Sequence, residues 1–195
     1  HLLGYDYSGS LAVKLFFFLS GLVVTNSLLH KRDVAQFVMA RFFRIWPALL
    51  VVTALCALVL GPLVTALPLA DYWSDPQTWR YVTGNLRLSP QYALPGVFAD
   101  NPHAHAVNGS LWTIELEVGA YLVLLALFLL GVLRLRWLAL AIAALVVLDP
   151  LMGNRLLFTW RVPHAGTDLL APCFAVGALL ALYKEQVVVG LREAA

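Results

Sequence analysis

A helix needs about 20 mostly apolar residues to cross about 30 Å of hydrocarbon at 1.5 Å per residue. Three stretches of this chain reach that length: Leu11–Leu29, Ala48–Leu67 and Leu111–Leu133. Two shorter ones, Trp137–Leu148 and Leu169–Tyr183, are expected to span as well once their flanking residues join them. Composition agrees, with 61% apolar and 12% charged residues against about 45–50% and about 25% in a soluble domain. So few charges cannot coat a water-facing surface on a chain of this length, and lipid is the consistent solvent. The expected fold is all-α, a polytopic transmembrane bundle of about five spanning helices. Asp33–Trp46 mixes Phe37, Phe42, Phe43 and Trp46 with Arg41 and Arg44, a composition that predicts an interfacial amphipathic helix. Pro47 then sits where the next helix would begin, which suits its fixed φ and missing N–H.

Residues 1–195 form one integral membrane domain in this scheme, with 68–110 as its extracytoplasmic loop. Basic residues set the orientation. Lys31, Arg32, Arg41, Arg44, Arg134, Arg136, Lys184 and Arg192 fall on one side of a five-helix alternation. Only Arg80, Arg87, Arg155 and Arg161 fall on the other, with five aspartates, so the first group is cytoplasmic. The loop carries Tyr72, Trp73, Trp79, Tyr81, Tyr92 and Phe98. These aromatics suit an interfacial belt, and they equally suit a lid that stacks on sugars. Because the chain opens at His1 with an apolar run close behind, it is expected to be a window cut from a longer protein. Leu11–Leu29 exceeds the length of a signal-peptide core and is followed by basic residues, not a cleavage site. Cys56 and Cys173 lie in apolar runs and are expected to be small buried hydrophobes, not a disulfide.

Ionisable groups inside spans are the informative positions, since each costs about 2.5–3.5 kcal/mol at a helix centre unless paired or hydrated. Lys14, Phe18, Gly21 and Thr25 share one helical face that should turn into the bundle, although a lysine there can also snorkel to the surface. Ser110, Thr113, Glu117 and Tyr121 likewise share a face, and Glu115 points elsewhere towards solvent. Glu117 beside hydroxyls can orient a base or take a proton; alternatively it neutralises Lys14 as a structural pair. Arg41 and Arg44 are three apart, and two guanidinium forks on one face can grip phosphates or anchor the chain to anionic headgroups. His103 and His105 have the spacing of two strand ligands without a third, so no metal site is expected. His30 and His164 read as loop residues.

Several motifs together resemble the membrane-bound acyltransferase 3 family. Leu11-Ala-Val-Lys-Leu-Phe-Phe-Phe-Leu-Ser-Gly is similar to its aromatic run ending in Ser-Gly, which includes Ser20. Arg41-Phe-Phe-Arg-Ile-Trp-Pro is similar to its Arg-x-x-Arg-Ile-x-Pro motif. Leu94-Pro-Gly-Val-Phe, then Asn101-Pro, then Val107-Asn-Gly-Ser-Leu-Trp-Thr-Ile-Glu-Leu-Glu resembles the loop and helix start of its polysaccharide-acetylating members. The order of the motifs carries the resemblance, which covers roughly residues 10–121.

The resemblance implies an O-acyltransferase that moves an acetyl or other acyl group from acyl-CoA to a hydroxyl of a cell-surface or exported glycan. It implies multi-pass insertion in a bacterial inner membrane, a co-substrate rather than a bound cofactor, and no nucleic-acid partner. By position, Arg41 and Arg44 match the family's donor-binding arginines, while Glu117 and Tyr121 match the Glu and Tyr of the Ser-Leu-Trp motif. Asn108, Ser110 and Trp112 belong to that motif as supporting residues. His1 falls where the family's catalytic histidine stands, its partner arginine lying before the chain begins, so at least the first helix precedes residue 1. Lys14 departs from the more frequent aspartate. A glycan or lipid transporter, or a non-catalytic scaffold of polysaccharide synthesis, are the rival functions for the same intramembrane charges.

Overall fold

The computed structural model describes residues 8–99, 106–151 and 169–186, and every regular element among them is a helix. Three helices are long and apolar enough to cross a membrane: α1 (Ser8–Lys31), α2 (Val34–Val64) and α5 (Gly109–Leu129). Between α2 and α5 lie two short helices, α3 (Leu69–Ser74) and α4 (Pro76–Leu86). Two further apolar helices follow, α6 (Arg136–Leu151) and α7 (Leu170–Leu182). The chain forms two compact units, residues 35–118 and residues 1–34 with 119–195.

In the second of these, α1 and α7 pack closely. The buried face of α1 holds Ser10, Phe17, Ser20, Gly21, Val24, Thr25 and Leu28. The expected inward turn of Gly21 and Thr25 is met, with Lys14 half-buried on the same side. Glycines permit the approach: a Cβ at Gly21 would overlap the Phe174 carbonyl, and one at Gly177 would overlap the Phe18 carbonyl and crowd Leu22 N. Without a hydrophobic drive between helices in lipid, such small-residue contacts supply the packing. Lys184 Nζ donates to Asn26 Oδ1 at 2.8 Å. Position along α1 and position along α7 therefore rise together, from Gly21 beside Phe174 to Asn26 beside Lys184, so the two helices run parallel. A left-handed Gly131 (φ 76°) closes the end of α5, a conformation open to glycine at little cost.

In the other unit, α2 differs from expectation. Asp33–Trp46 is not a separate interfacial helix, because Val34–Val64 is one continuous helix of 31 residues. Pro47 lies inside it. A membrane-embedded helix tolerates an internal proline where its surroundings re-satisfy the freed carbonyl, and Phe42 stacks on Trp46 across that turn at 5.1 Å. At about 46 Å the helix exceeds the hydrocarbon thickness, so an interfacial stretch and a span can share it. Its C-terminal half widens into a π-turn at Cys56–Leu60. Tyr72 from α3 inserts there and its hydroxyl donates to the Ala57 carbonyl at 2.7 Å. Gly61 leaves the space that the Tyr72 ring tip occupies. Tyr72, Tyr81, Leu94, Val97 and Ala57 make the core of this unit.

The start of α4 is written in Asp75-Pro76: Asp75 accepts from Gln77 N at 2.8 Å as the cap, and Pro76 takes the first turn. Its end is a reversal, with Leu88 left-handed (φ 59°) and Ser89 N donating to the Gly84 carbonyl at 2.9 Å, the Schellman arrangement.

Candidate functional site

Within residues 35–118 the Arg-x-x-Arg motif of α2 meets the Ser-Leu-Trp motif of α5. Arg44 Nε lies 3.9 Å from Glu117 Oε1, the Glu117 side chain 11% exposed and the Arg44 side chain 48% exposed. A carboxylate this deep in an apolar helix requires a cationic or hydrogen-bonding neighbour, and helical spacing does not point to Arg44 for that part. Arg41, one turn earlier, is half-buried. The expected sharing of a face by the two arginines holds as helical spacing, and Arg44 approaches a protein carboxylate.

Asn108 and Ser110 act at the start of α5. Asn108 Oδ1 accepts from Ser110 N at 3.3 Å and from Ser110 Oγ at 2.6 Å, which caps the opening turn. Thr113 Oγ1 donates back to the Ser110 carbonyl at 3.2 Å. Trp112 is half-buried in the first full turn. Glu115 is half-buried, contrary to the solvated position expected for it. It stands near Tyr92, where burial first and the Glu115 charge second raise the phenol above its ordinary value.

In the other unit, Ser20 and Tyr121 come together, their hydroxyls 3.1 Å apart and buried. Tyr121 also packs at an angle against the Phe174 ring. The aromatic Ser-Gly motif of α1 is thereby joined to the motif tyrosine. Spacing within one helix put Tyr121 on the Glu117 face and the resemblance brought in Ser20, but neither could say that the two face each other. Lys14 is half-buried in α1. His1, His103, His105 and His164 lie outside the described residues.

Trp46 is a site-level residue that spacing missed: its indole Nε1 donates to the Leu86 carbonyl at 3.2 Å, joining α2 to the C-terminal end of α4. A tryptophan among exposed phenylalanines offered no signal for that bond.

The family model described as an acyltransferase domain, acyltransferase 3, matches residues 1–192. An O-acetyl transferase of Shigella phage Sf6 is 29% identical over 124 residues, covering 63% of this chain and 36% of the relative. The chain thus spans about a third of that relative's length. No solved structure matches the chain.

Proposed function

We propose, on the premise that this chain belongs to the acyltransferase 3 family, that it is the part of a membrane enzyme that O-acylates a glycan. The group transferred is acetyl or another acyl, the donor acyl-CoA, and the acceptor a hydroxyl of a cell-surface or exported glycan. The observation that carries this is the Arg44–Glu117 pair, which joins two motifs that resemble the family's donor-binding and loop-helix motifs.

In the reaction, a base takes the proton of the acceptor hydroxyl and its oxygen attacks the thioester carbonyl, directly or after transfer to an enzyme nucleophile. The C–S bond breaks and the thiol leaves with a proton. His1 is the base implied by resemblance. Glu117 orients that base or carries its proton, and Arg44 holds the Glu117 carboxylate in place. Arg41 is the residue that the resemblance assigns to donor phosphates. Ser20, Tyr121 and Lys14 support the fold around α1, while Asn108, Ser110 and Trp112 fix the entry of α5. Five spans (α1, α2, α5, α6 and α7) in a bacterial inner membrane fit the parallel course of α1 and α7, since three crossings between them return the chain to its starting side.

The test is acyl-ester formation on surface glycan, read by NMR as an alkali-labile ester in a host lacking the activity. The complete parent protein should make the ester. Its Glu117→Gln variant, present in the membrane at equal amount, should lose about 10²–10⁴ in rate. An ester made equally well by Glu117→Gln would remove Glu117 from the chemistry. No ester from a folded parent supplied with acetyl-CoA would favour transport or scaffolding.

A further inference from the structure

We infer that α4 is a re-entrant helix lying beside α2 at membrane depth, and that the arginines on its open face, Arg80 and Arg87, receive the diphosphate of the acyl donor.

The depth follows from tethers within residues 35–118. At the outer end of α2, Thr65 Oγ1 donates to the Pro95 carbonyl at 2.8 Å, and Ala66 N donates to the Gly96 carbonyl at 2.9 Å. Further in, Tyr72 is bonded to the Ala57 carbonyl. Further still, Trp46 is bonded to the Leu86 carbonyl. α4 itself covers about 16 Å, about half of the hydrocarbon thickness of about 30 Å. The chain therefore leaves α2 at its outer end, descends through α4 to within reach of the Trp46 indole, reverses at Leu88 and climbs back to Pro95.

The two faces of α4 suit that position. Thr78 and Asn85 are buried against the unit and satisfied internally: Thr78 Oγ1 donates to the Tyr72 carbonyl at 2.7 Å. Asn85 Nδ2 donates to the Tyr81 carbonyl at 2.7 Å and the Gln91 carbonyl at 3.0 Å, and Asn85 Oδ1 accepts from Gln91 N at 2.9 Å. Backbone away from water must be satisfied in this way. Arg80, Thr83 and Arg87 follow helical spacing on the other face and are all exposed. Neither guanidinium has a side-chain partner among the described residues. Hydrocarbon does not tolerate two such charges, so this face borders water.

The Trp46–Leu86 bond brings Arg87 to the level of Arg44, with Arg41 one turn away on α2. Arginines from two elements at one level near the cytoplasmic end match a diphosphate, whose paired oxygens guanidinium forks grip bidentately. Arg80 stands about 10 Å further outward. The choice of the acyl donor over other diphosphates rests on the proposed function.

The test uses the complete parent protein in inside-out vesicles. Arg80→Cys and Arg87→Cys, with Cys56 and Cys173 replaced by alanine, are exposed to a charged methanethiosulfonate. Both should react from the cytoplasmic side. Coenzyme A at about ten times its Kd should slow both reactions about tenfold, because only the unliganded fraction reacts. With the native cysteines kept, Arg80→Gln and Arg87→Gln should each raise KM for acetyl-CoA about tenfold or more, the loss of a charge-assisted contact. Reaction only from the outer side, or from neither, would overturn the re-entrant position. Cytoplasmic reaction that anionic lipid slows and coenzyme A does not, with acetyl transfer intact, would overturn the donor site in favour of headgroups. Protection by inorganic pyrophosphate in a protein that cannot use acetyl-CoA would keep the arginine site and sink the proposed donor.

Discussion

Arg44 has two roles available to it, and kinetics separates them. A guanidinium that only grips donor phosphate would act through KM and independently of Glu117. One that holds Glu117, as the 3.9 Å approach indicates, acts through the carboxylate. Arg44→Gln is therefore expected to lower kcat, and Arg44→Gln/Glu117→Gln to be hardly worse than Glu117→Gln alone. The missing additivity should amount to about 0.5–3 kcal/mol in a double-mutant cycle. Additive losses confined to KM would return Arg44 to donor binding alone. Which polar residues face inward was partly legible in the sequence, because charges and hydroxyls are rare in apolar helices and Glu117 and Tyr121 share a face there. Their pairings were not legible. Helical spacing reports which face a residue lies on, whereas Ser20–Tyr121 and Arg44–Glu117 depend on how separate helices dock.

The lengths of the elements were readable for the same reason that lipid is strict. The run Leu11–Leu29 became α1 and Leu111–Leu133 became α5, with ends shifted by a few residues. Joining Asp33–Trp46 to the next span was not readable, because Pro47 marks a helix start as readily as an interior position in lipid. Close helix contact gives a sharp test of α1 against α7. Gly177→Val would drive a branched side chain into the backbone of Phe18 and Leu22, which cannot yield as a side chain would. Overpacking of this kind costs about 1–3 kcal/mol or more, so detergent-solubilised protein should melt several degrees lower, or be lost. Gly119→Ala has nothing within 4 Å of the added carbon and should leave the melting unchanged. Equal behaviour of the two variants would remove the glycine contact as a packing determinant. At the π-turn of α2, Tyr72→Phe keeps the ring and deletes the bond to the Ala57 carbonyl. A buried carbonyl left without its donor costs about 1–3 kcal/mol, which the same thermal measurement should detect. No change would mean that the π-turn holds α3 by packing alone.

For the molecule as a whole, the direction of α7 constrains the number of crossings. α6 has 16 residues and α7 has 13, or about 24 Å and about 20 Å of helix, short for spans by themselves. Yet α7 runs parallel to α1 and stays in contact from Phe174 to Lys184. A parallel partner that spans the membrane must begin on the same side as α1. If α1 descends from the outer face, α2 and α5 bring the chain back to the cytoplasm, and α7 can start outside only if α6 crosses. The competing course keeps α7 parallel without that crossing: α6 and α7 form a hairpin that dips from the cytoplasmic side. The two courses differ in where residue 155 lies. With native cysteines removed, Arg155→Cys in intact spheroplasts should react with a membrane-impermeant maleimide under the five-span course. Reaction only after permeabilisation would leave three crossings and turn α6–α7 into a cytoplasmic re-entrant pair.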